Sequence, residues 1–97
     1  MQFVLSATDF TDDGALERRL ASREAHLARV RDLAATGGFL GGGAILDAKG
    51  KMIGSNAHFD FPTRESFDAW LKDDPYIVNR VWETVTIHEA RLFNPAA

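Results

Sequence analysis

The chain has 97 residues, 45% hydrophobic and 26% charged, with no cysteine and 14 acidic against 11 basic side chains. That length makes one domain, which buries roughly two-thirds of its unfolded surface. Disulfides, Cys-ligated zinc, iron–sulfur clusters and thiol nucleophiles are excluded, and a net charge of −3 with interleaved basic residues gives no electrostatic footprint for nucleic acid.

Gln2 to Thr8 contains an unbroken Phe3-Val4-Leu5 run, which predicts a strand covered on both faces. It lacks a basic flank and runs directly into Asp9 and Asp12, so it does not read as a signal peptide. No stretch approaches the roughly 18 apolar residues of a membrane span, and the expected setting is cytoplasmic with no membrane partner. Asp12 or Asp13 is placed to cap a long helix reaching to about Thr36. Leu16, Leu20, Leu27, Val30 and Ala34 supply its apolar stripe, in which the missing member at position 23 is an arginine. Gly37-Gly38 ends the helix, because glycine accepts the left-handed conformation of C-terminal caps.

Phe39 to Leu46 is extended but carries Gly41, Gly42 and Gly43, a pattern that marks a bulge or a close approach by a helix, a ligand or a partner subunit. After the turn Asp47-Ala48-Lys49-Gly50, Met52 to Phe61 forms the second strand of a hairpin. Ile53, Ser55, Ala57, Phe59 and Phe61 share one of its faces, and Met52, Asn56, His58 and Asp60 the other. Thr63 caps a helix bearing Phe67, Trp70 and Leu71, and Asp74-Pro75 opens a further short helix, with proline at its first position. Alternation returns from Val81 or Trp82 to about Phe93, and the tail Asn94 to Ala97 reads as loose.

Strand, helix, strand, strand, helix, strand is the βαββαβ order of a ferredoxin-like α+β fold with a four-stranded antiparallel sheet. Its helices cover one face only. Apolar residues on the other face call for a cover, and a second copy of the same sheet supplies one, so a homodimer is expected.

Arg23-x-x-His26-Leu27, Gly38-Phe39-Leu40, the Gly41-Gly42-Gly43-Ala44 run, Asp47-x-x-Gly50, Ile53-Gly54-Ser55 and Asp73-Asp74-Pro75-Tyr76 with Val81-Trp82 occur in an order that resembles the YCII-related domain family over nearly the whole chain. The resemblance implies a ferredoxin-like subunit that dimerises into an α/β barrel. It also implies a cleft around a His and an Asp, here His26 and Asp74, with Arg23 and Ser55 as neighbours in the motif set. Arg80 stands where such proteins commonly have a small residue, and a larger side chain there is expected to bear on substrate preference.

Chemically, a histidine oriented by a carboxylate takes and returns a proton near neutral pH. The plainer readings stay open beside this one. His26 is also explained as a half-buried helix residue bonded to a neighbour, and Asp74 as a cap; one carboxylate can serve both roles. Arg23, if on the buried face, needs either an acidic partner or a ligand's carboxylate or phenolate. Ser55 is read as a hydrogen-bonding group rather than a nucleophile, because no nucleophile-elbow sequence surrounds it. Tyr76 is assigned to the cleft wall. The glycines are not a phosphate loop, since Ala44-Ile45 follow them instead of a Lys-Ser or Lys-Thr pair.

His58 and Asp60 alternate on one strand face and His88 could join them, but such spacing is common by chance, and neither a metal nor any other cofactor is assigned. The preferred reading is an acid–base lyase or isomerase for a small organic acid or aromatic. The rivals are a non-catalytic small-molecule-binding or accessory module and, by fold analogy, a cofactor-free oxygenase.

Overall fold

A computed structural model describes residues 1–96; Ala97, at the end of the tail read above as loose, lies outside the described residues. Strand β1 spans Gln2–Asp9, helix α1 Ala15–Ala35, strands β2 and β3 Phe39–Leu46 and Met52–Asp60, helices α2 and α3 Arg64–Leu71 and Pro75–Val78, and strand β4 Trp82–Ala90. All pairings are antiparallel and the strand order is β2-β3-β1-β4, the ferredoxin-like arrangement expected from the element order.

The central strand β1 is not covered evenly on both faces. Phe3, Leu5, Ala7 and Asp9 are buried beneath the helices, while Val4 is half-buried and Ser6 and Thr8 are exposed on the opposite face. On the helix side, Phe3, Phe59, Phe61 and Phe67 form an aromatic core with ring centroids 4.8 to 6.3 Å apart, closed by Leu71 and Val81. The opposite face is more polar than expected. Its cross-strand rows read Asn56-Ser6-Thr86 and His58-Val4-His88, with Ile45 opposite Gly54 as an apolar exception near one edge.

Helix α1 departs from expectation in its phase. Ala15, Arg19, Ser22 and Val30 are its buried residues, with His26, Leu27 and Leu33 half-buried, while Leu20 is 53% exposed. The inward stripe is therefore rotated by about one residue, some 100°. Polar residues occupy it because partners wait for them; Ser22 Oγ, for example, accepts from Asn79 Nδ2 at 3.1 Å. The expected cap is also absent. Gly14 is the N-cap without a side-chain bond, and Asp12 instead accepts from the two terminal guanidinium nitrogens of Arg18, which hold its carboxyl down at about 2. Thr63 caps α2 through a capping box with Ser66, and Asp74 caps α3 ahead of Pro75, both as expected.

The glycine run has a steric role, but toward another element than anticipated. A Cβ on Gly42 would lie 2.3 Å from the Asn56 carbonyl oxygen and 2.7 Å from Ala57 Cα, so the close approach is to β3. Gly42 also has φ +153, and the register shifts between Phe39 and Gly41, as a bulge requires. At Gly43 a Cβ meets nothing within 4 Å. Gly42→Ala is therefore expected to cost about 2 kcal/mol and Gly43→Ala less than about 0.5 kcal/mol in urea unfolding; equal losses would contradict this account.

Candidate active site

Between α1, the end of α2, α3 and the β2-β3 hairpin lies a cavity of about 260 Å³. Trp70, Tyr76, Trp82, Phe39 and Phe59 give it aromatic walls, Arg19, Arg23 and His26 line it from α1, and Ser55 lines it from β3.

Asp74, entirely buried, is the anchor of one side. Its Oδ2 accepts from the Tyr76 backbone N–H at 3.0 Å and lies 2.8 Å from His26 Nδ1; its Oδ1 accepts from Arg29 Nη1 at 3.1 Å. Because a carboxylate only accepts, Nδ1 carries a hydrogen toward Asp74, and in the neutral imidazole this tautomer leaves the lone pair on Nε2. Nε2 has no protein partner among the described residues, and His26 faces the cavity. The imidazole plane is fixed by stacking on Tyr76, with centroids 3.9 Å apart and 10° between planes, and by the edge contact with Trp82 at 6.0 Å. Arg29 continues to the Trp70 carbonyl at 2.7 Å and lies 4.5 Å from the centre of its indole ring, so it positions that wall as well.

A second buried ion pair holds the other side. Arg19, 2% exposed, donates from Nη1 to both oxygens of Asp9 at 2.8 and 2.9 Å and from Nη2 to Ser55 Oγ at 2.8 Å. Trp82 Nε1 donates to the same Ser55 oxygen at 3.0 Å. The Arg19 guanidinium stands 4.9 Å from the Tyr76 ring centre.

His26, Tyr76 and Ser55 line this cavity, whereas Asp74 stands behind His26, wholly buried and not among the lining residues. Arg23 also lines it, but from an exposed position, so the premise of a buried-face Arg23 is corrected; it has no ion pair or hydrogen bond among the described residues. The buried arginine is Arg19, overlooked together with Asp9, Arg29 and Trp82. A signal was available: Asp9 shares the parity of Phe3, Leu5 and Ala7, and a buried carboxylate requires a cation. Arg80 is exposed beside the Phe10 ring, 4.7 Å from its centre, and is not among the residues lining the cavity, which corrects its expected part in substrate preference. Its φ of +58 explains why a small residue suits that position. His58, Asp60 and His88 do not converge; among the described residues no group of three or more His, Asp or Glu side chains could hold a metal ion. Among the described residues no helix is long and apolar enough to cross a membrane.

The molecule is therefore a ferredoxin-like α+β domain with a histidine–carboxylate pair opening on an aromatic cleft. The family model of the YCII-related domain matches residues 1–91, and the chain belongs to that family. It is 34% identical over 93 residues to Protein YciI of Escherichia coli O6:H1, covering 90% of this chain and 93% of that protein. An uncharacterised protein of Haemophilus influenzae is 33% identical over the same shares. Among solved structures, 5-chloro-2-hydroxyhydroquinone dehydrochlorinase (TftG) of Burkholderia phenoliruptrix AC1100, in complex with 2,5-dihydroxybenzoquinone, superposes with a TM-score of 0.82 at 22% identity over 94% of both chains. Protein Atu4242 of Agrobacterium tumefaciens does so with a TM-score of 0.51 at 14% identity over 98% of both. These two likenesses show the shared fold.

Burial raises the Tyr76 phenol above its ordinary 10.0, outweighing the pull of Arg19 and Arg23, while Asp74 and Asp9 reinforce the rise. The unfolded chain gives up this proton first. Stability from Tyr76 is thus complete below about pH 10 and is lost as pH rises through the native value. Tyr76 is the chain's one tyrosine, so ultraviolet phenolate absorbance reads it directly. The native midpoint is expected above 10.0 and the midpoint in denaturant near it; coincident midpoints would count against its burial.

Proposed function

We propose that the protein is an acid–base enzyme of lyase or isomerase type, in which His26 moves a proton on a small ring-bearing acid or phenol. The observation that carries this reading is the 2.8 Å contact from His26 Nδ1 to the buried Asp74, which leaves Nε2 bare toward the cavity. Nε2 takes the proton, Asp74 orients the ring and stabilises the imidazolium that forms, and Arg23 at the rim draws in the substrate's negative charge. Tyr76, held as a neutral phenol by its burial, and Ser55 contribute hydrogen bonds.

Size supports a single ring. A cavity of about 150 Å³ holds benzene, so about 260 Å³ suits one substituted ring and is small for a dinucleotide. The reaction named for TftG, dehydrochlorination, removes a proton and a chloride from such a ring, and an acid–base pair with an anion site meets the needs of that class. The same reading has two copies pairing through the sheet faces left open by the helices, giving an α/β barrel.

On a substrate found by screening hydroxylated and chlorinated ring acids and hydroquinones, His26→Gln and Asp74→Asn are each expected to lower kcat by about 10²- to 10⁴-fold. Unchanged turnover in His26→Gln, the milder change for the fold, would falsify the proposal. Thermal stabilisation by a ligand without any turnover would favour a binding module instead. Sedimentation velocity across a concentration series is expected to give twice the 10.7 kDa chain mass; a monomer at every concentration would remove the barrel from the reading.

A further inference from the structure

We infer that Ser55 is a donor-only hydrogen-bonding group, which selects a ligand presenting an acceptor oxygen, a carbonyl or a phenolate, over one presenting a neutral hydroxyl at that point. This rests on the reading above only in placing the ligand in the same cavity.

A serine hydroxyl has two acceptor sites and one hydrogen to donate. Both acceptor sites of Ser55 are taken, one by Arg19 Nη2 at 2.8 Å and the other by Trp82 Nε1 at 3.0 Å. Neither bond can reverse, because guanidinium and indole N–H groups have nothing with which to accept. The hydroxyl hydrogen must therefore point elsewhere, and it has no acceptor among the described residues. Ser55 lines the cavity, and its cross-strand neighbours on either side, Ala7 and Ala44, are too small to cover it.

The network also makes this hydrogen a strong donor. Asp9 grips Arg19 Nη1 with both oxygens, so Nη2 is held on Ser55, and a charged donor on the Ser55 oxygen polarises its O–H bond. Asp9 at the same time cancels the Arg19 charge. The cavity thus receives a directed hydrogen at this point in place of a bare cation. A phenolate or carbonyl oxygen satisfies it. A neutral phenol keeps a hydrogen that Ser55 cannot take, because the lone pairs that would receive it are occupied.

The probe is 4-nitrophenol, a single ring whose ionised form absorbs visible light; its binding is read by quenching of Trp70 and Trp82, which both line the cavity. The bound probe is expected to ionise about one pH unit below the free probe, a roughly tenfold preference for phenolate. Ser55→Ala is expected to abolish most of that shift. Because Ser55→Ala also strands two donors, Trp82→Phe is the companion variant: it keeps the hydroxyl but frees one acceptor site, and the phenolate preference is expected to fall while the probe still binds.

A shift retained in both variants overturns the proposal, as does a wild-type protein in which the bound probe ionises no lower than the free probe. His26→Gln separates the two readings: it is expected to keep the shift while losing turnover. Loss of turnover there with a shift indifferent to Ser55 would defeat this inference alone, whereas full turnover there with a Ser55-dependent shift would defeat only the proposed chemistry.

Discussion

Enclosing a carboxylate costs several kcal/mol unless donors replace its water, and Asp74 is wholly enclosed with three of them: a backbone N–H of α3 and the side chains of His26 and Arg29 on α1. This requirement sets where α1 lies, since both side chains must reach one buried point. Arg29 extends the constraint to α2 by holding the Trp70 carbonyl and lying over its indole. A single residue thus caps one helix, ties it to two others and aims an imidazole into the cleft. The cap on α3 and the contact with His26 are made by the same carboxylate oxygen, Oδ2.

The Arg19–Asp9 pair applies the same logic where α1 meets the sheet. Its cost is offset by short bonds on both Asp9 oxygens and by the link through Ser55 to Trp82. The consequence for α1 is a buried face of mixed polarity, with Arg19, Ser22 and His26 turned inward and Leu20 left outside. It also sets the charge balance of the cleft. Arg19 with Asp9 and Arg29 with Asp74 neutralise one another, which leaves Arg23 as the cavity-lining arginine with no ion pair among the described residues.

Much of the fold was legible because its signals are local. Thr63 with Ser66 and Asp74 with Pro75 cap helices through bonds that span two or three residues, and the hairpin from Phe39 to Phe61 turns at Asp47, whose side chain accepts from Lys49 and Lys51. The misreadings came where a distant group competes. Asp12 left its capping role for Arg18, the Phe3-Val4-Leu5 run concealed an alternation decided by which face the helices cover, and the Gly42 close approach is to β3 across the hairpin. Counting leucines phased α1 on Leu16 and Leu20, although the series Ala15, Arg19, Ser22, His26, Val30, Leu33 has equally good helical spacing and is the one turned inward.

By itself the sequence determined the kind and order of the elements, the ferredoxin-like class, the resemblance to the YCII-related domain, and His26 with Asp74 as the pair to watch. The tertiary structure decided which face of α1 is buried, that Arg19 and not Arg23 is the enclosed cation, and that Ser55 has both of its acceptor sites filled. The physical reason is the range of the interactions. Periodicity and caps act over a few residues, but a charge goes inside only where its counter-charge and hydrogen-bond partners are waiting. Here the topology brings those partners from as far as 48 residues away for His26 with Asp74, 36 for Arg19 with Ser55 and 27 for Trp82 with Ser55.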